Sequence, residues 1–373
     1  MLLGIDASRA VTAAPTGTEN YSRQLIRAML ELPSSLRFRL YTRSFPPSDL
    51  FPATGNYEIR TIPFPRLWTH ARLSAEMLRH PPDALWVPAH VIPPLHPRRT
   101  LVTVHDLGYR YFPQAHPPLA RLYLDLSTRW NAHAAAGILA DSEATRRDLA
   151  HFYRVNPDKV RVVYPALNPE WQHLAVSPED VARVGQHYHT GGDYMIAVGT
   201  VHPRKNYRRL LQAFAQLPQP YRLVIVGKKG WLYQEIFETL QQLDLGDRVL
   251  FLDYVPPADL PPLYAGARLA VMPSLYEGFG FPVLEAQACG TPVACSNTSS
   301  LPEAAGEGAE FFDPRAVEAM AAAMRRVLSD AARRDALIAL GKRNVERFSW
   351  ARAAEQVVEE VEKWNAFPRS IVY

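Results

Sequence analysis

Short β-rich runs alternate with helix-sized segments along the whole chain, and this alternation limits the fold more than any other feature. In the first half the strand candidates are residues 2–6, 38–42, 57–62, 84–88, 101–105, 137–140 and 160–164. Amphipathic stretches lie between them. One covers 19–32, with Tyr21, Leu25, Met29 and Leu32 on one face, and another covers 117–136. The second half is more regular. Residues 194–198, 222–226, 248–252, 269–272 and 292–295 are short apolar runs, each separated from the next by a helix-sized segment. A βαβα succession of this kind predicts an α/β fold with parallel sheets covered on both faces.

At 373 residues the chain is long enough for two domains, and 47% apolar residues suffice for two cores. The boundary is expected near 165–192, a stretch with Pro165, Pro169, Pro178 and Gly191-Gly192 but no strand run. This gives an N-terminal domain over 1–168, a linker over 169–192 and a C-terminal domain over 193–349. Residues 350–367 form a final amphipathic helix with Val357, Val358, Val361 and Trp364 on its apolar face. The net charge of +4 fits an anionic substrate or an anionic membrane surface, and is too small to imply nucleic acid. Cys289 and Cys295 make neither a disulfide framework nor a zinc pattern, so both read as reduced core residues of a cytoplasmic protein. No apolar run approaches the ~20 residues of a membrane span, and Met1–Asp6 reads as a first strand, too short for a signal peptide.

Chemistry concentrates in the second half. Glu277 and Glu285 flank the run Glu277-Gly278-Phe279-Gly280-Phe281-Pro282-Val283-Leu284-Glu285. The first lies on a glycine-bracketed loop. The second lies in the first turns of a helix expected to start near Pro282, since proline is tolerated at the first helical position. Gly278 and Gly280 let the backbone approach a ligand, and a helix N-terminus offers unpaired N–H groups to a phosphate. A carboxylate on each side can accept from sugar hydroxyls, so the pattern reads as a nucleotide-sugar site. The plainer reading is two solvated acids near a positive dipole end.

Upstream, Gly199-Thr200-Val201-His202-Pro203-Arg204-Lys205-Asn206 follows the run 194–198. Asn206 is the expected N-cap of a helix with Leu210, Leu211, Phe214 and Leu217 on one face. Arg204 and Lys205 then stand at the C-terminal end of a parallel strand, where ligands bind in open α/β sheets, and both can hold phosphate. A solvated loop with two charges is the plainer alternative. His105 ends the run 101–105, where a hydrogen-bonded structural histidine is the bland reading. Gly17 sits in Ala14-Pro15-Thr16-Gly17-Thr18-Glu19, the loop after the first strand, and a turn glycine would serve there. Asp141-Ser142-Glu143 ends another run, with Ser142 as the expected cap of a helix over 144–152 and Asp141 read as structural.

The run from Glu277 to Glu285, continued by Ala286-Gln287-Ala288-Cys289-Gly290-Thr291-Pro292-Val293, resembles the signature of retaining GT-B glycosyltransferases of the family 4 type. The resemblance covers most of the chain and is strongest from about 194 to 313. It implies two Rossmann-like domains with parallel sheets facing a central cleft, the donor on the C-terminal domain, and a final helix returning to the N-terminal domain. It also implies roles. Glu285 would hold the ribose hydroxyls and Glu277 the far side of the donor sugar. His105 would contact the transferred sugar and stabilise the leaving phosphate. The donor site would be completed by Gly17, Thr18, Thr200, Arg204, Lys205, Tyr254, Val255, Gly278, Phe279, Gly280, Phe281 and Leu284, with 252–256 meeting the base mostly through backbone groups. The chain departs from the family pattern twice. Glu19 stands where the second glycine of Gly-x-Gly belongs, and Thr200 stands where some relatives carry arginine.

No Asp-x-Asp occurs, so no metal and no other cofactor is expected, with Arg204, Lys205 and helix dipoles neutralising the diphosphate. No Walker A loop and no Gly-x-Gly-x-x-Gly follows the runs 2–6 or 194–198, which weakens a dehydrogenase reading. Val226-Gly227-Lys228-Lys229-Gly230-Trp231-Leu232-Tyr233 resembles bacterial mannosyltransferases of surface-polysaccharide assembly. That implies GDP-mannose as donor and a glycan or lipid-linked saccharide as acceptor. A UDP-sugar donor such as UDP-glucose, an epimerase or phosphorylase on the same fold, and a non-catalytic nucleotide-sugar binder stay open. Arg66, Trp68, Arg72, Arg79, Arg121, Arg129 and Trp130 supply basic and aromatic groups for peripheral contact with the inner face of a membrane. Solvated helix faces explain them equally well.

Overall fold

The computed structural model describes residues 1–12, 17–64, 66–89, 91–172, 174–366 and 371–372. The chain forms two compact units, Met1–Ala166 with Ser349–Tyr373, and Leu167–Phe348.

The first unit is built on strands β1 (Leu2–Asp6), β2 (Arg37–Thr42), β3 (Tyr57–Thr61), β4 (Ala84–Val87), β5 (Thr100–Val104), β6 (Gly137–Ala140) and β7 (Val160–Val162). They form one sheet in the order β3-β2-β1-β4-β5-β6-β7, with every pair parallel. The order reverses between β1 and β4, as in a doubly wound sheet. The helix Gly17–Glu31 buries Tyr21, Leu25, Ile26 and Met29. The helix Trp350–Glu362 packs beside it: the Tyr21 and Trp350 rings meet edge to face at 5.8 Å, and Val357, Val358 and Val361 are buried. Arg161 after β7's first residue ties this helix down through Glu359 at 2.7 Å.

The second unit repeats the plan with β8 (Tyr194–Val198), β9 (Arg222–Val226), β10 (Val249–Leu252), β11 (Leu269–Met272), β12 (Val293–Ser296) and β13 (Ala309–Phe312). The order is β10-β9-β8-β11-β12-β13, again all parallel. Strand alternation splits the core in two. Met195, Ala197, Leu223, Ile225, Leu269 and Val271 face one layer, and Tyr194, Ile196, Val224, Val226, Ala270 and Met272 face the other. The switch point lies between β8 and β11, so loops leaving the C-terminal ends of these two strands define the binding crevice of this unit.

Two expectations change, and one strand was not among those expected. The stretch 169–192 is no extended linker: it carries the helices Pro169–Gln172 and Pro178–His187, and Val184 is buried in the second unit's core. Strand β13 had no clear sequence signal, because only its end residues are buried and its middle pair is half-exposed. Gly17 is the first residue of the helix Gly17–Glu31 and does not belong to a loop. Residues 14–16 before it lie outside the described residues.

Candidate functional site

The charged centre of the second unit lies at its switch point. Lys205 follows β8 and Glu277 follows β11. Lys205 Nζ donates to Glu277 Oε1 at 2.6 Å, and Arg204 Nη1 donates to Glu277 Oε2 at 2.9 Å. Ser274 Oγ adds a third donor to Oε1 at 2.6 Å. A carboxylate offers about four lone-pair sites, so these three donors leave Glu277 one acceptor site on Oε2. Burial works against the charge of Glu277. The opposing charges of Lys205 and Arg204 and the donors from Lys205 and Ser274 outweigh it and hold the carboxyl at about 2. Glu277 is therefore ionised at any physiological pH.

The backbone around this cluster is tightly specified. Gly199 has φ 146°, and an added Cβ would lie 2.7 Å from Lys205 Cε, so the lysine stem crosses the strand end where only glycine leaves room. Gly227, at the end of β9, has φ 149°, and its Cβ would fall 2.2 Å from the Gly199 carbonyl oxygen. Arg204 is fixed at three points. His202 Nδ1 accepts from its N–H at 3.2 Å, its carbonyl accepts from Leu275 N at 2.9 Å, and its guanidinium also donates to the Tyr276 carbonyl at 2.9 Å. Asn206 corrects the capping expectation. It has φ 60°, and its side chain does not cap the helix Tyr207–Phe214. Its Nδ2 instead donates to the carbonyls of Pro273 and Pro314, at 2.9 and 2.7 Å, and so holds the loop that carries Glu277.

Ser299 and Ser300 clamp the glycine loop from the other side. Glu277 N donates to Ser299 Oγ at 2.8 Å, and Ser300 Oγ reaches the carbonyls of Glu277 and Phe279 at 2.9 and 2.7 Å. Gly280 has φ 122° and precedes the helix Phe281–Ala288, whose first turn contains Pro282. Glu285 follows within that helix. Tyr264 Oη donates to its Oε2 at 3.0 Å. Burial raises the Glu285 carboxyl to about 7, while the Tyr264 hydrogen bond and the Lys205 charge pull it back only in part. One carboxylate is thus saturated with cations, while the other is starved of them and partly protonated at neutral pH.

Several residues expected at the donor face inward. Phe279 is 4% exposed and packs against Phe281 and Phe348, and Leu284 is fully buried. Val255 is buried in the core, which leaves only its backbone for contact. Thr200 and Tyr254 are exposed, the latter with Lys228 Nζ 5.2 Å from its ring centre. The residues that sequence reasoning passed over are Gly199, Ser274, Tyr264, Ser299 and Ser300.

In the first unit, His105 stands just beyond β5. Its Nδ1 lies 2.7 Å from Asp141 Oδ2 and its Nε2 3.0 Å from the Pro88 carbonyl. Strand register explains the pairing: Val104 pairs with Ala140, so the next residues on two parallel neighbours stand side by side. Ser142 caps the helix Glu143–Tyr153 as expected, accepting from Thr145 N at 3.1 Å. Gly17 and Thr18 are exposed at the start of their helix. Among the described residues no group of three or more His, Cys, Asp or Glu is arranged to hold a metal, and no helix is long and apolar enough to cross a membrane.

Two doubly wound units of this kind are shared with solved GT-B structures. Sucrose-phosphate synthase from Thermosynechococcus elongatus superposes with a TM-score of 0.74 at 22% identity, covering 98% of this chain and 99% of that one. Anabaena HepE, solved in complex with UDP-glucose, gives 0.71 at 18% identity over 97% and 99%. The fold is that of a GT-B glycosyltransferase. In sequence, residues 183–344 match the glycosyl transferases group 1 and residues 15–171 match Glycosyltransferase Family 4. The O-antigen chain mannosyltransferase B of Escherichia coli is 34% identical over 294 residues, 78% of this chain and 77% of its own length. The chain belongs to glycosyltransferase family 4.

Proposed function

We propose that this glycosyltransferase moves mannose from GDP-mannose onto a hydroxyl of a glycan or lipid-linked saccharide, with retention at the anomeric carbon. The observation that carries the reading is the Lys205–Glu277–Arg204 cluster at the switch point of the second unit. It sets two cations where a diphosphate would lie and keeps an ionised carboxylate with one open acceptor site beside them. Glu285 is the proposed partner of the ribose diol, since only one of its oxygens is engaged, by Tyr264. The choice of mannose rests on the 34% identity to the Escherichia coli mannosyltransferase. A UDP-sugar is the second reading, favoured by the complex of HepE with UDP-glucose.

In this reading Lys205 and Arg204 carry the charge of the departing diphosphate without a metal, and the stabilisation is electrostatic. Glu277 is not assigned as a nucleophile, because three of its roughly four lone-pair sites are committed to Lys205, Arg204 and Ser274 and the remaining one is proposed to accept from a sugar hydroxyl. Gly17, Thr18 and Thr200 are proposed to border the donor, and Tyr254 its base. The acceptor is proposed to arrive from a membrane surface. The helix Pro118–Ala134 supports this, since Leu119, Leu122, Tyr123 and Leu126, at i, i+3, i+4 and i+7, all face solvent. Trp68, also expected there, is buried and takes no part.

A thermal-shift panel of GDP-, UDP-, ADP- and dTDP-sugars with and without EDTA tests the donor. A ligand that binds only the native state stabilises it by RT ln(1 + [L]/Kd), about 2.7 kcal/mol at a hundredfold excess. A GDP-mannose shift that EDTA leaves intact supports the proposal. A shift confined to UDP-sugars transfers it to the second reading, and a shift that needs a divalent ion refutes the metal-free part.

A further inference from the structure

We propose that Asp141 is a positioning residue that holds His105 as a fixed, doubly protonated imidazolium at the end of β5. The inference rests on the reading of His105 as a group that faces the donor. Both ring nitrogens point at acceptors: Nδ1 at the Asp141 carboxylate, 2.7 Å away, and Nε2 at the Pro88 carbonyl, 3.0 Å away. A neutral imidazole has one N–H, so beside an ionised Asp141 carboxylate either tautomer would set two lone pairs against each other in one of these contacts. Only the imidazolium donates to both.

The surroundings hold the ring in place. Tyr21, on the helix Gly17–Glu31, sets its ring edge to face against the imidazole at 4.8 Å and 83°. Thr145 Oγ1 donates to the His105 carbonyl at 3.1 Å, which ties the histidine backbone to the helix that follows Asp141. The charged and titratable groups that face the ring are Asp141 and Asp106, with Tyr21 beside them. Both charged groups are anionic, and among the described residues no lysine or arginine pairs with Asp141, whose Oδ1 is buried without a hydrogen-bond partner. The carboxylate and the imidazolium therefore depend on each other. Burial opposes charge on the ring, but the Asp141 charge and hydrogen bond outweigh it and raise the His105 pKa above its usual value.

The consequence separates two kinds of chemistry. A histidine whose Nδ1 proton is pinned by a carboxylate and whose Nε2 proton is held by a carbonyl has no lone pair with which to act as a base. With both N–H groups already engaged it can offer only fixed positive charge, which suits a developing anion such as a leaving phosphate. Asp141, immediately before the N-cap Ser142 of the helix Glu143–Tyr153, sets that protonation state.

The test is an NMR titration of the ring protons of the full chain labelled at histidine, with His105 assigned from the loss of its signal in His105→Gln. Asp141→Asn keeps the shape and removes the charge. It should lower the His105 pKa by about one to three pH units, and Asp141→Glu should restore part of it. In transfer assays the alkaline fall in kcat should move to lower pH in Asp141→Asn by the same interval, with the donor KM changed less. An unchanged His105 pKa in Asp141→Asn overturns the proposal. A lowered pKa with a wild-type pH-rate profile leaves the pairing standing and removes His105 from the reaction, which is a failure of the functional reading alone.

Discussion

Glu285 should cost the free enzyme stability at neutral and alkaline pH, and replacing it by glutamine should recover that cost. Burial raises its carboxyl from the ordinary 4.5 to about 7 in the fold. The sign follows from linkage. The folded state binds this proton more tightly than the unfolded chain, so the associated stability is full below pH 4.5 and drains away as pH rises through 7. At about 1.4 kcal/mol per pH unit, the whole interval makes roughly 3 kcal/mol, of which about 2 kcal/mol falls between pH 5.5 and 8. Glu285→Gln has no proton to lose and keeps an oxygen for the Tyr264 hydroxyl. Urea unfolding at both pH values should show the variant gaining about 2 kcal/mol on the wild type as pH rises from 5.5 to 8, while nucleotide-sugar binding weakens sharply. A stability difference that does not change with pH would refute the assigned burial of this carboxyl. Gained stability with undiminished donor binding would instead separate Glu285 from the ribose. The underlying idea is that a binding carboxylate is held charge-starved until a ligand diol arrives, a cost to stability of the kind functional sites carry.

Lys205→Ala should lower kcat by about 10²–10³-fold and destabilise the second unit by about 3 kcal/mol or more, because Glu277 would stay ionised and part-buried with Arg204 as its single cation; steady-state kinetics and urea unfolding check both. Gly227→Ala should be among the most damaging single-methyl additions, since its Cβ would meet the Gly199 carbonyl at 2.2 Å in a left-handed backbone, and a loss of about 4 kcal/mol or failure to fold is expected from expression and thermal melting. The paired substitutions Leu122→Glu and Leu126→Glu should abolish sedimentation with anionic liposomes and leave transfer to a short soluble acceptor intact; pelleting unaffected by both changes would count against the outward leucine face as the contact.

The architecture was readable because it is written in local periodicity. The runs 2–6, 137–140, 194–198, 222–226 and 269–272 coincide with strands, since fully buried parallel strands must be continuous apolar segments. Strand β13 escaped because an edge strand buried only at its ends carries no such run. The linker reading of 169–192 failed for a related reason: prolines that suggested a break stand at the starts of the helices Pro169–Gln172 and Pro178–His187, where their missing N–H costs nothing.

The site divides along the same line between local and distant information. A motif names residue types at fixed spacing, and it brought Glu277, Glu285, Arg204 and Lys205 forward, yet it says nothing about which way a side chain turns. Phe279 and Leu284 sit inside the motif and are buried, Phe279 against the rings of Phe281 and Phe348, while Val283 and Ala286 are the residues of the helix Phe281–Ala288 that enter the core. Tyr264 lies 21 residues from Glu285 and Ser299 lies 22 from Glu277, with nothing in the intervening sequence to join them. Asp141 is the instructive intermediate. Its pairing with His105 across 36 residues follows from the parallel register of β5 and β6 alone, once those two strands are known to be neighbours. Sequence supplied both strand ends and left their adjacency open. That adjacency turns a solitary histidine, which alone reads as structural, into one half of an ion pair whose protonation state can be measured.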